Sequence, residues 1–176
     1  MARVNSKLTT TVSLVLALLG AVGFLPAVET AYAQGAPPQA TEPFAGLAGK
    51  WSGDGSIVLT SGATERLRCD ADYTISGGGD NLDLSLQCAS DSYNFDLRIA
   101  LADKAGQILG SWNEVTKSIT GGISGQDSKG LIQVKVGGQD FNAAVVVKTH
   151  ETEQLVSIRA QSGELSQVAI TLHRAR

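Results

Sequence analysis

The chain is poor in the residues from which most reactive sites are built. It has two histidines and two cysteines in 176 residues, one methionine, and only 5% aromatic side chains. His150 reads as part of a polar loop and His173 as part of the last strand. Neither has a cysteine or carboxylate at a ligand-like spacing, so neither a zinc site nor a Cys–His nucleophile is expected. Phosphate-cradling loops are missing too, because the glycines come as turn pairs rather than ahead of a helix. Gly122-Ile123-Ser124-Gly125-Gln126 falls short of a nucleophile elbow and has no helix behind it to present the serine. Asp70 and Asp72 share one strand face and read as a solvated pair rather than half of an acid–base couple or a calcium site. The expectation is a protein that is not an enzyme and needs no cofactor or metal.

The one long apolar run lies at the N-terminus. Arg3 and Lys7 precede a mostly apolar stretch from Leu8 to Phe24, and Ala31-Tyr32-Ala33 supplies a small-x-small pattern, so residues 1–33 read as a secretory signal cleaved after Ala33. Gly20, Gly23 and Pro26 interrupt the run and argue against a membrane anchor, and no cysteine follows it to carry a lipid. Removing Arg3, Lys7 and Glu29 from the 14 basic and 17 acidic residues leaves 12 and 16, a net charge of −4 on 143 residues. That length suits one domain, and that sign argues against a nucleic-acid partner. The expected location is the periplasm or outside the cell, with no membrane contact after cleavage.

Residues 34–43, QGAPPQATEP, have no periodic apolar face and read as a flexible N-terminal arm. From Phe44 onward the pattern is almost wholly that of strands. The most informative stretch runs from Arg66 to Tyr93. If Gly78-Gly79 form the centre of a tight hairpin turn, Gly77 faces Asp80 and Cys69 falls opposite Cys88. Ala71, Tyr73 and Ile75 then face Leu86, Leu84 and Leu82, all on one side, because strand side chains alternate with period two. Asp70, Asp72 and Thr74 fall on the other, wet side. In an oxidising compartment this register makes a Cys69–Cys88 disulfide the default, with two buried free thiols as the alternative.

The same alternation continues through Tyr93, Phe95, Leu97, Ile99 and Leu101. A turn at Ser90-Asp91 would set Tyr93 opposite Cys88 and Phe95 opposite Leu86. Further strands are expected at Gln107–Glu114 and Ser118–Ser124, followed by a polar loop from Gly125 to Gly130. A second diglycine hairpin centred on Gly137-Gly138 would pair Val134 with Phe141, Ile132 with Ala143 and Lys135 with Asp140. Leu155–Ala160 and Leu165–Arg174 complete the set. About ten short strands joined by short links predict an all-β antiparallel up-and-down barrel, with a two-sheet β-sandwich as the alternative.

Gly49-Lys50-Trp51, entering the first strand after a short turn at Phe44–Ala48, resembles the calycin superfamily of lipocalins and their relatives. That resemblance implies a tryptophan on the barrel floor, here Trp51, with a basic residue of the last strand packed across it, for which Arg174 is the candidate. More broadly, FAGLAGxWSG, ERLRC and CASDSY resemble small uncharacterised exported proteins of α-proteobacteria, a likeness that carries no activity. Strand count and the tryptophan entry also resemble nitrobindin-like barrels, which bind haem through a histidine near the end. Alternation argues against that here, since it turns Leu172 inward and His173 outward.

Two functions stay open. In the first, the barrel carries a small apolar ligand against Leu67, Tyr73, Leu84, Leu86, Tyr93, Phe95 and Leu97; the same residues would serve equally as a packed core. The bulk is lopsided, since Tyr73, Leu84, Leu86, Tyr93, Phe95, Leu97 and Ile99 are large while Ile132, Val134, Ala143, Val145 and Val147 are smaller. That favours a modest pocket open at one end, with Tyr73 and Tyr93 as its polar contacts. In the second, the chain resembles small periplasmic protease inhibitors, and residues 34–43 would dock on a protein partner.

Overall fold

A computed structural model of the chain describes residues 42–176. The expected signal segment, and all of the expected arm before Glu42, lie outside the described residues. Ten strands follow a 3-10 turn at Ala45–Leu47: β1 Gly49–Leu59, β2 Thr64–Ser76, β3 Asn81–Ala89, β4 Asn94–Lys104, β5 Gln107–Glu114, β6 Ile119–Ser128, β7 Leu131–Gly138, β8 Asn142–His150, β9 Glu153–Ala160 and β10 Leu165–Arg174. Each pairs antiparallel with its neighbours in sequence, and β1 pairs with β10, so the sheet closes on itself. Closure leaves no open edge and replaces the sandwich alternative.

The β2–β3 register has Cys69 opposite Cys88, Tyr73 opposite Leu84 and Ile75 opposite Leu82, and the two cysteines are joined by a disulfide. The turn uses three consecutive glycines, Gly77 to Gly79, all at positive φ. Two other registers depart from the sequence reading. Cys88 faces Phe95 and Leu86 faces Leu97, two residues away from the expected pairing. Ser90 to Tyr93 form a wider loop with no residue at positive φ, closed by the Ser90 amide on the Tyr93 carbonyl at 2.8 Å. The Ser90 hydroxyl accepts from the Tyr93 amide and donates to Glu65 Oε2. A two-residue turn of the type that matches strand twist needs positive φ, which this side-chain-capped loop avoids. The slip is even-numbered, so the inward face is unchanged.

The β7–β8 hairpin shifts further. Val134 faces Val145, Val136 faces Ala143 and Lys135 faces Ala144, so the expected Lys135–Asp140 pair does not form. Gly137 and Gly138 belong to the strand and take no positive φ; the turn lies beyond them, closed by the Gly138 amide on the Phe141 carbonyl. The lack of a side chain at Gly138 makes room for Trp112, whose Cζ2 would lie 3.0 Å from a Cβ there; Trp112 Nε1 donates to the Gly137 carbonyl at 3.2 Å. β6 runs on through Gly125 to Ser128 where a loop was expected. His150 is the last residue of β8, paired with Glu153, and not a loop residue.

Strand direction sorts the barrel into two ends. At the end where β1 begins and β10 finishes, Phe44 and Leu47 are buried beside Trp51, which is 1% exposed. Trp51 donates its Nε1–H to the Leu47 carbonyl at 2.8 Å. The Arg174 guanidinium lies 4.5 Å over the indole ring and donates to the carbonyls of Ala48 and Gly46. The 3-10 turn is thereby pinned across this end as a stopper. The other end is ringed by the loops at 60–63, 90–93, 115–118, 139–141 and 161–164.

Candidate functional site

The inward face of the barrel does not fill it. A cavity of about 480 Å³ runs up from the stopper, lined by side chains of nine strands and by Leu47 of the turn. Its wall is aliphatic and aromatic. Tyr73, Leu84, Leu86, Tyr93, Phe95 and Leu97, the residues marked from the sequence as a ligand lining, all face it, as does Leu67. On the opposite side stand Ile132, Val134, Val145 and Val147, the smaller residues of β7 and β8. Ala143 is buried but lies outside the lining, a correction to its place in the small wall. Cys88 also faces the cavity, which puts the disulfide in the inner wall where it ties β2 to β3.

Tyr93 sits at the mouth, just before β4, with its ring stacked on Phe95 at a centroid distance of 6.2 Å and 4° between planes. The Lys117 ammonium lies 5.9 Å from the centre of the other aromatic of that stack, Phe95. Phe141 closes on Trp112 edge to face at 5.8 Å. Glu114, Asp140 and Glu164 complete the polar rim.

Glu114 is buried, yet its carboxylate is the best-satisfied acid of the rim. It accepts from the Thr116 hydroxyl at 2.5 Å, from the Lys117 amide at 2.6 Å, and from the Asp96 and Thr116 amides. Burial pulls its pKa up, but these donors together hold it below the ordinary glutamate range. The side chain is thus a brace for the β5–β6 loop.

Polar groups also occur at the closed end. Gln154, at the start of β9, is fully buried and faces the cavity together with Tyr73. The Tyr73 hydroxyl donates to Gln154 Oε1 at 2.6 Å, and Gln154 Nε2 donates to Thr149 Oγ1 at 3.1 Å. Burial pushes the Tyr73 phenol up to about 12, against a smaller downward pull from Gln154, so it stays a neutral donor and acceptor. Sequence reading missed Gln154, Glu114 and Trp112 as lining residues. Strand parity carried the signal: Gln154 is in phase with Val156 and Ile158, and Trp112 and Glu114 are in phase with Ile108.

No group of three His, Cys, Asp or Glu side chains placed to hold a metal ion occurs among the described residues. His173 points outward and is exposed.

No family model matches the chain, and no curated protein matches it. Solved structures do. The crystal structure of Rv2717c from M. tuberculosis superposes with a TM-score of 0.64 at 15% identity, over 78% of this chain and 98% of that one. The S-type phycobiliprotein lyase CPES from Guillardia theta superposes with a TM-score of 0.53 at 14% identity, over 76% of this chain and 90% of that one. At such identities the likeness is one of fold, and the fold of this chain is a closed antiparallel barrel of ten strands.

Proposed function

We propose that the protein is a non-enzymatic carrier that holds a small, mostly apolar molecule inside the barrel, and that it works in an oxidising compartment outside the cytoplasm. The observation that carries the first part is the cavity itself. At about 480 Å³ it falls within the range of roughly 300–1,000 Å³ typical of small-molecule sites. A wall of Leu, Ile, Val and aromatic side chains with a few placed polar groups is the composition of such sites. A barrel kept only as a packed scaffold would close down on this space, since interiors pack to crystal-like density. The Cys69–Cys88 bond supports the second part, because disulfides persist where thiols are not kept reduced.

The experiment is a titration of the mature chain with phenylnaphthylamine, a neutral dye whose emission rises in apolar surroundings. Wild type should bind it saturably at one site. Val145→Trp, which drives an indole into the cavity beside Val134 and Ile158, should weaken binding by about tenfold or more, or 1.4 kcal/mol, while still unfolding cooperatively. Absence of saturable binding by the wild type overturns the carrier reading.

A further inference from the structure

Resting on that reading, we propose that the ligand carries a neutral hydroxyl group and enters hydroxyl first, so that Gln154 and Tyr73 hold this group at the closed end of the cavity. Around them the inward side chains at that end are Leu82, Ile132, Val147 and Leu172, none of which makes a hydrogen bond. A primary amide among aliphatic side chains costs free energy unless each of its groups finds a partner.

Gln154 has two N–H groups, and one of them is taken by Thr149. Whichever way the amide is turned, one N–H is left over, because Tyr73 and Thr149 each engage one end of it. The Tyr73 oxygen keeps acceptor capacity beside it. A spare donor next to a spare acceptor, on two residues that both line the cavity, is complementary to an alcohol, which accepts and donates through one oxygen. An ether could use only the donor.

Charge selects in the same direction. The cationic residue of the lining is Lys117, at the mouth. Arg174 lies on the far side of Trp51 and is bound to backbone carbonyls. A carboxylate pushed to the closed end would lose its water and meet no cation, which is costly. The mouth itself mixes Lys117 with Asp140 and Glu164 and offers an anionic head group no concentrated positive field.

The test is displacement of bound phenylnaphthylamine by tetradecanol, its methyl ether and tetradecanoate. Wild type should prefer the alcohol over the ether by about tenfold, the loss expected when a buried donor–acceptor pair is left half satisfied. Because Gln154→Leu alone strands the Tyr73 hydroxyl, the matched variant is Tyr73→Phe/Gln154→Leu, which should take up alcohol and ether alike. In nitrogen-15-labelled wild type, the Gln154 side-chain amide signal should move on adding tetradecanol and stay in place on adding the ether; this readout needs no variant to fold. Dye binding with equal displacement by alcohol and ether, preference for tetradecanoate, or an unmoved amide signal overturns the hydroxyl assignment and leaves the carrier reading standing. Failure of the wild type to bind the dye at all removes both.

Discussion

Trp51→Ala should remove the stopper of the barrel, and its cost can be assembled from the contacts of one ring. The indole is 1% exposed, stands edge to face with Tyr73 at 6.3 Å, and lies under the Arg174 guanidinium at 4.5 Å. Truncating a core tryptophan to alanine costs about 3–5 kcal/mol through lost burial and the space left behind. The stranded Leu47 carbonyl adds about 1 kcal/mol and the lost cation–ring contact about 0.5–1 kcal/mol. The terms share atoms and do not add fully, so the expected total is about 5 kcal/mol. Against a whole-domain stability of roughly 5–15 kcal/mol, that leaves a domain that is at best marginal.

Two gentler changes apportion the total. Trp51→Phe keeps most of the packing and loses the Nε1–H bond to Leu47, for about 1–2 kcal/mol. Arg174→Met keeps the aliphatic stem over the ring and loses the charge and its bonds to Ala48 and Gly46, again for about 1–2 kcal/mol. Combined, Trp51→Ala and Arg174→Met should cost less than their sum, since each removes the same ring contact. The assay is urea unfolding followed by circular dichroism and, in variants lacking Trp51, by the fluorescence of Trp112. A Trp51→Ala protein within 1 kcal/mol of wild type would refute the view that this ring holds the closed end together.

Replacing both Cys69 and Cys88 by alanine opens a crosslink spanning 19 residues of sequence and should cost about 3 kcal/mol on the chain-entropy estimate, read from the urea midpoint; a loss under 1 kcal/mol would contradict it. Two carboxylates should show opposite pH dependence. Glu114 has its pKa lowered in the folded state, so its stabilisation is present above the unfolded glutamate pKa and fades as pH falls through the folded one; Glu114→Gln should melt below wild type at neutral pH, with the gap closing in acid. Asp127 has its pKa raised by burial and by the neighbouring Asp103, so folding favours its protonated form and its ionisation costs stability as pH rises; Asp127→Asn should melt above wild type at neutral pH, and that advantage should vanish below about pH 4.

The parts of this fold that the sequence disclosed are those fixed by parity. Alternation put Tyr73, Leu84, Leu86, Phe95 and Leu97 on one face, and that face is the cavity wall. Parity is indifferent to a slip of two residues, however, and both registers that slipped did so by an even number. What decided those registers lay at a distance in sequence. At Ser90–Tyr93 it was Glu65, on β2, whose carboxylate accepts from the Ser90 hydroxyl and the Ser92 amide. At Gly137-Gly138 it was Trp112, on β5, which donates to the Gly137 carbonyl and needs the space a side chain at Gly138 would fill. A diglycine reads as a turn when only local conformational freedom is weighed, and as a berth for an aromatic ring only once the partner strand is known. The cavity was suggested by the mismatch between large and small residues, but its polar end was not. Gln154 was passed over because the expected strand began at Leu155, although its phase with Val156 and Ile158 placed it inside once β9 starts at Glu153.

The two ends of the barrel are made from different turns, and on the carrier proposal the direction of ligand entry follows from that difference. At the closed end, Ala105-Gly106, Lys129-Gly130 and Glu151-Thr152 each join strands in two residues, with Ala105, Lys129 and Glu151 held at positive φ. Such turns match the strand twist and finish the strands flush, and the fourth connection there, Gly77–Asp80, meets the stopper through the Gly79 carbonyl, which accepts from the Phe44 amide at 3.3 Å. Closure therefore falls to a separate piece, the 3-10 turn at Ala45–Leu47, and to the Trp51–Arg174 contact that pins it. At the other end two of the connections are braced by carboxylates, and the 115–118 loop also holds Ser118 at positive φ. Glu65 secures the 90–93 loop and Glu114 the 115–118 loop. Glu114 ties its loop to the strand it leaves, whereas Glu65, on β2, ties the 90–93 loop to a strand next to its own. On the carrier proposal, an apolar molecule would meet the aromatic rim of Tyr93, Phe95 and Phe141 first, pass the aliphatic wall, and come to rest against the polar groups at the bottom. Among the described residues, short turns and a stopper at one end, with hydrogen-bonded loops around the other, make one strand meander into a barrel closed at one end.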